Sequence, residues 1–262
     1  MEKVNTPEFE TFIINTVITT CEARPAEQSE LKQVIQQNMH HFKRAFTSPR
    51  ENPVDNYQML EFLGDSIIFA CVTWYLYRRF PQLQDCKYLG VITRLKGNLV
   101  STKMLAHAAD SLGFKKFLNT NVTDNFKIDA FLEDVFEAYI GAVHLVFDNT
   151  YSLPGVGYGI CYRILKNIFD QQSIDLSFEA TFDSKSALKE ILDAHPELGK
   201  LEYVQQLDPD RLTKILLNGV IIGIGYGQNK KIQHQAAAKA ALNYLKEHHN
   251  IEPRRGRFSD LI

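Results

Sequence analysis

Cysteine is scarce and scattered. Four occur in 262 residues, Cys21, Cys71, Cys86 and Cys161, and no two form a C-x-x-C pair. That excludes the usual zinc spacing and a disulfide framework, and reads as a protein of a reducing, intracellular compartment. An excess of charge of one sign is also missing. The 29 Lys and Arg balance 31 Asp and Glu, for a net charge of −2. A nucleic-acid surface would therefore have to be local, and an acidic metal site elsewhere would mask it in the total. No apolar run reaches the ~20 residues of a membrane span; Ser66 to Tyr77 is apolar for roughly three turns and reads as a core helix. Met1-Glu2-Lys3 is not followed by a charged region and an apolar run, so no secretory signal is expected.

What is present supports folded cores. Apolar residues make up 45% of the chain and aromatics 11%, and the length has room for one large or two ordinary domains. Two segments, far apart, each place two carboxylates on one helix face. The first is Asn56-Tyr57-Gln58-Met59-Leu60-Glu61-Phe62-Leu63-Gly64-Asp65 and the second Phe131-Leu132-Glu133-Asp134-Val135-Phe136-Glu137-Ala138-Tyr139-Ile140-Gly141. Glu61 and Asp65 are four apart, Asp134 and Glu137 three apart, and both spacings bring side chains together. Mostly apolar neighbours bury these helices, and neither pair has a Lys or Arg three or four positions away. Buried charges persist when paired or bound to metal. Four converging carboxylates without a local cation suggest a site of hard oxygen ligands for a divalent metal, most naturally Mg²⁺.

Periodicity predicts helices over Phe9 to Cys21, ending near Pro25, and over Leu31 to Ala45. After a Pro-containing loop, Asp55 begins the first carboxylate helix, with Gln58 at the capping-box position; Pro81 ends it near Phe80. Thr102 to Leu112 and Lys115 to Leu118 read as further helices, and Asp129 as the cap of the second carboxylate helix, which runs to about Phe147. The turn Leu153-Pro154-Gly155-Val156-Gly157-Tyr158-Gly159 leads into a helix from Ile160 to Phe169. No strand precedes it and no Lys-Ser/Thr follows, which argues against a phosphate cradle. Composition changes after Glu179. Asp183 to Ala194 is amphipathic helix, Leu201 to Gln206 and Thr213 to Leu217 alternate like strands, Asn218-Gly219 is a hairpin turn, Val220 to Gly225 returns as a third strand, and Gln235 to His248 is an Ala-rich helix.

The segment Leu60-Glu61-Phe62-Leu63-Gly64-Asp65-Ser66 closely resembles the hallmark of the ribonuclease III family. Asp134-Val135-Phe136-Glu137-Ala138-Tyr139-Ile140-Gly141-Ala142 is similar to that family's second block. Gly90 to Ser101 is similar to its middle helix, and Ala45-Phe46-Thr47 stands where the family has an Ala-Leu-Thr-His stretch. The resemblance covers about residues 30 to 178. The Gly-Tyr turn further resembles, weakly, homologues of large DNA viruses. Residues 183–248 resemble a double-stranded RNA-binding domain: Ser184 to Glu190 match its opening, and Gly225 to Lys231 with Gln235 to Leu242 match its close. The expected fold is mainly α: an all-helical ribonuclease III endonuclease domain over 27–178, then a small α-β-β-β-α RNA-binding domain. Residues 1–26 read as an N-terminal extension and 249–262 as a basic tail.

The resemblance implies hydrolysis of double-stranded RNA by two Mg²⁺ ions, with Mn²⁺ able to substitute, leaving 5′ phosphates and short 3′ overhangs. Glu61, Asp65, Asp134 and Glu137 match the family's metal-binding carboxylates one for one. Gln58 occupies a position that is often Glu in bacterial members, but Gln there is not unusual in Dicer-like domains. Gly64 and Gly141, beside the carboxylates, suit a close approach. A duplex has two strands, and the resemblance implies a homodimer with Phe62 at its interface. For RNA, Lys230 and Lys231 fall at a helix N-terminus, where free amides and the helix dipole attract phosphate; Lys185 and Glu190 lie on the domain's first helix. Two departures stand out. The loop between the first strands reads Leu207-Asp208-Pro209-Asp210-Arg211, with Arg211 where the family often has His, and the third basic position of the last helix is His234. RNA affinity is therefore expected to be modest and pH-sensitive. The expected location is the cytoplasm, the host's if the chain is viral, without excluding the nucleus. The alternative class is a non-catalytic protein that sequesters double-stranded RNA and suppresses RNA silencing.

Overall fold

The structure is a computed structural model that describes residues 3–118, 125–172, 174, 184–206, 212–227 and 229–251. They fall into two compact units, within residues 1–174 and 175–262.

The first unit is helical: α1 (Pro7–Thr20), α2 (Pro25–Gln37), α3 (Met39–Ala45), α4 (Gln58–Arg79), α5 (Leu89–Leu99), α6 (Thr102–Ser111), α7 (Asn125–Tyr151) and α8 (Val156–Asp170). Thr6 caps α1, its hydroxyl accepting from the Phe9 amide at 3.2 Å, and Pro7 opens the first turn, where a missing N–H costs nothing. Residues 1–26, set apart in the sequence as an extension, are built into the core from Val4 onward. Phe9, Ile13, Val17 and Cys21 are fully buried, and the Phe9 ring meets Phe46 at 5.1 Å and Phe117 at 5.3 Å.

Several boundaries differ from the sequence reading. Pro25 opens α2 rather than closing α1, because the Arg24 backbone N–H and guanidinium both bond Glu27, which completes the first turn. The helix expected over Leu31 to Ala45 breaks at Asn38, whose side chain donates to the Val34 carbonyl at 2.9 Å and competes with the backbone ladder. Asp55 does not cap α4. It pairs with Arg44 at 3.2 Å, and Asn56 Oδ1 accepts the Gln58 amide instead. Asp129 lies inside α7, which starts at Asn125.

Together α4 and α7 form the centre of this unit. Along α7, Val135, Phe136, Ala138, Tyr139, Ile140, Ala142 and Val143 are all fully buried, so this helix is enclosed on most sides. Helix α4 has 22 residues and is long and apolar enough, by length and composition, to cross a membrane. The apolar run counted from Ser66 was shorter because the helix begins earlier, at Gln58. Its packing against α7 and its two carboxylates are those of a core helix.

The second unit is α9 (Ser184–Ala194), β1 (Leu201–Gln206), β2 (Leu212–Leu217), β3 (Val220–Tyr226) and α10 (Lys230–His249). The sheet is antiparallel in the order β1-β2-β3. Asn218 and Gly219 both have positive φ, 51° and 83°, which gives the two-residue hairpin the twist its strands need. Its core joins Leu188 and Ile191 of α9, Ile215, Leu217 and Ile222 of the sheet, and Ala237, Ala241 and Leu245 of α10.

Candidate active site

Two glycines set the site's geometry. A methyl group built on Gly64 would fall 1.8 Å from the carbonyl oxygen of Glu137, and one on Gly141 would fall 2.1 Å from that of Leu60. Helices α4 and α7 thus touch backbone to backbone, and what approaches these glycines is the other helix. Glu61 and Asp65 flank the contact from α4; Asp134 and Glu137 flank it from α7.

All four carboxylates are half-buried, as is Glu133. Burial pushes Glu61 up to about 7, and the charges of Asp134, Glu133 and Asp65 add to the rise. Burial likewise pushes Glu137 up to about 8, with further contributions from Asp65, Glu133, Glu61 and Asp134. Asp134 is raised by burial, and a hydrogen bond from Tyr57 opposes the rise. Each helix therefore feels the other's carboxylates, and the structure brings together the four residues singled out in the sequence.

It adds two more. Glu133 stands four residues before Glu137, on the same face; burial raises its carboxyl, against a hydrogen bond from Thr102 at the start of α6. Tyr57 donates its hydroxyl to Asp134 Oδ2 at 2.9 Å, across 77 residues of sequence. The i, i+4 spacing could have flagged Glu133. No sequence signal marks Tyr57.

Among the described residues, no three His, Cys, Asp or Glu side chains form a preassembled metal-binding group. Glu61, Asp65, Asp134 and Glu137 offer oxygen donors only, at a partly desolvated seam. That donor set fits a hard divalent cation.

Phe62 lies on α4 one residue from Glu61, and it is 71% exposed. It does not serve the core of this unit. Met59, Phe69, Trp74 and Tyr77 continue the exposed apolar stripe at helical spacing, and Phe69, Ala70, Thr73, Trp74 and Tyr77 line a shallow groove.

The Gly-rich turn before α8 holds no phosphate cradle open. The Asp148 carboxylate accepts from the Gly157 amide at 2.6 Å and from the Gly155 amide at 3.2 Å. The chain's own anion occupies that helix start, and α8 begins at Val156, earlier than the expected Ile160.

In the second unit, Lys230 and Lys231 are exposed in the first turn of α10, which Asn229 caps by accepting the Ile232 amide at 3.0 Å. His234 stacks on Tyr203 of β1 at 5.0 Å, and Lys185 of α9 lies 5.8 Å from the same ring. Burial lowers the His234 pKa, and the charges of Lys185 and Lys230 lower it further. Lys185, Lys230 and His234 thus share one surface, organised by a tyrosine the sequence reading did not select. Glu190 is exposed on α9, and Arg211 lies outside the described residues.

The Ribonuclease III domain family model matches residues 58–148, which span both carboxylate helices. A viral protein provisionally named ribonuclease 3, from Frog virus 3 (isolate Goorha), is 36% identical over 210 residues, covering 78% of this chain and 56% of its own length. Another so named, from Invertebrate iridescent virus 6, is 28% identical over 235 residues, covering 82% of this chain and 80% of itself. Ribonuclease 3 of Bacillus cereus (strain G9842) is 30% identical over 208 residues, covering 76% of this chain and 79% of itself.

Proposed function

This chain belongs to the ribonuclease III family, and from that premise we propose that it is an endoribonuclease that hydrolyses double-stranded RNA with divalent metal, Mg²⁺ or Mn²⁺. One observation carries the proposal. Glu61 and Asp65 on α4 and Asp134 and Glu137 on α7 gather across a glycine seam, where burial and the neighbouring carboxylates raise the proton affinity of Glu61 and Glu137. A bound divalent ion supplies charge stabilisation for the phosphodiester and a water that ionises near neutral pH; two such ions would serve the attacking and the leaving oxygen. The chain's own part is to present these four carboxylates from two rigid helices, with Glu61 and Glu137 releasing protons as the metal arrives. Hydrolysis of this type leaves 5′ phosphates and short 3′ overhangs.

The wild-type chain, incubated with long duplex RNA and Mg²⁺, should give short duplexes with those ends, and chelation should stop it. Tight duplex binding without cleavage would move the chain to the class of RNA-sequestering proteins. Free cysteines, three of them buried, agree with action in the cytoplasm.

Cutting both strands calls for two sites, and a homodimer would provide them. The exposed stripe Met59, Phe62, Phe69, Trp74 and Tyr77 is the face proposed for the second copy. Fully burying a Phe is worth about 1.5–3 kcal/mol, and a symmetric dimer buries two. Phe62→Ala should therefore weaken dimerisation at least about 100-fold, which sedimentation velocity would read as a shift to monomer. A wild-type protein that is monomeric at micromolar concentration, yet cuts both strands, would contradict the model.

Duplex anchoring is assigned to the second unit, which reads A-form shape through minor grooves and intervening phosphates. Lys230 and Lys231 contact phosphate in this proposal, with Lys185 and His234 beside them and Glu190 and Arg211 completing the face. Each phosphate contact releases counterions. Replacing Lys230 and Lys231 together with Ala should weaken binding and reduce the slope of log affinity against log salt by roughly 2. An unchanged slope in a filter-binding titration would remove the second unit as the anchor.

A further inference from the structure

Tyr57 has no assigned part in the site, yet it touches both carboxylate helices. It is the N-cap residue of α4. Its carbonyl accepts from the amides of Leu60 and Glu61, each at 2.9 Å, and its own amide donates to the Thr47 carbonyl at 3.0 Å. Its ring is buried and packs on Phe131 of α7, with centroids 5.7 Å apart. Backbone and ring are thus fixed at once, and the hydroxyl has little freedom in where it points. It points at Asp134, donating to Oδ2 at 2.9 Å.

We propose that Tyr57 is a positioning residue for the metal site: its hydroxyl ties down Oδ2 of Asp134 and so holds the carboxylate that would take part in binding metal, while its carbonyl fixes the first turn that carries Glu61. The inference rests on the metal-site reading above and assigns the site a residue outside its carboxylates. A carboxylate held by one hydrogen bond keeps one rotamer and one orientation. Without that bond, Asp134 would have to be ordered by the metal itself, at a cost in affinity. Partners of this kind typically change metal affinity 10–100-fold.

The test is a calorimetric titration of Mn²⁺ into the metal-free full chain, with no RNA present. Tyr57→Phe keeps the ring and removes only the hydroxyl. It should weaken Mn²⁺ binding about 10-fold, with far-UV circular dichroism and the metal-free Tm unchanged, and cleavage should recover at correspondingly higher Mn²⁺. Phe131→Leu loosens the same ring contact and keeps the hydroxyl with its bond to Asp134; it should weaken Mn²⁺ binding clearly less than Tyr57→Phe does. Equal affinity in wild type and Tyr57→Phe would overturn the positioning role alone, as would an equal loss in Phe131→Leu, which would make the effect one of packing. A wild-type chain that binds no Mn²⁺ would overturn the metal-site reading together with this one.

Discussion

Glu137→Ala should abolish cleavage of duplex RNA and leave duplex binding intact. The variant removes a carboxylate that faces the charges of Glu61, Asp65, Glu133 and Asp134, so it takes away a proposed ligand rather than an outer-shell partner. The loss of rate in Mg²⁺ should therefore exceed about 100-fold, the upper end for a partner that acts only through a ligand. Near-normal cleavage would sink the metal assignment. The same residue has a measurable effect without metal. In the folded chain Glu137 sits at about 8 and Glu61 at about 7, both raised from an ordinary 4.5. The folded state therefore holds protons that the unfolded state releases. The stability this contributes is fully present below about 4.5 and is lost as pH rises through about 7 to 8. Thermal unfolding in a chelator should show a falling Tm between these limits, with a smaller fall in Mg²⁺ and a smaller one in Glu137→Ala. A Tm in chelator that stays level or climbs over that range would show that the carboxylates do not repel as described.

Gly64→Ala should cost the first unit a large part of its stability. The added methyl group meets the Glu137 carbonyl oxygen at 1.8 Å. Its neighbour is backbone in the middle of a buried helix, so no side chain can swing away. Either α4 or α7 has to move, and the cost should reach about 3 kcal/mol or more, the upper end of core overpacking, out of a total of about 5–15 kcal/mol for a typical domain. The control is Gly97→Ala in α5, where an added methyl group meets nothing within 4 Å. There the change should stabilise by roughly 0.5–1 kcal/mol, because alanine is the better helix former. Urea unfolding of the two variants separates the cases; similar midpoints would contradict the seam.

The contrast between these glycines marks what the sequence can reveal. Spacing put Glu61 with Asp65 and Asp134 with Glu137, and helical periodicity placed both segments in helices, though not at their observed ends, because those are properties of a single helix. That Gly64 faces Gly141, or that Tyr57 reaches Asp134, depends on how two helices dock across a sequence separation of 77, and no local pattern encodes it. The β-hairpin was readable to within one residue at each strand end, since Asn218-Gly219 fixes its own turn type. The errors fell where one side chain outcompetes a local rule: Asn38 interrupts a helix by bonding back to Val34, and Arg44 takes Asp55 away from the cap it was expected to form. The exposed stripe on α4 was legible only at Phe62, because apolar residues on both faces of a helix give no sign of which face meets water.

The first helix also has a consequence for synthesis. Its side of the unit is held by residues made much later. Lys3 donates to the Leu118 carbonyl at 2.8 Å across 115 residues, and Arg163 donates to the Glu22 carbonyl at 2.8 Å across 141. At about 5–20 residues per second on the ribosome, Glu22 waits on the order of ten seconds or more for its partner. During that time the apolar face of Phe9, Ile13 and Val17 has only part of its packing, because Phe46 is made early but Phe117 comes much later. A chaperone that covers this face of α1 until α8 is made would act at a step where the first unit is still prone to aggregate.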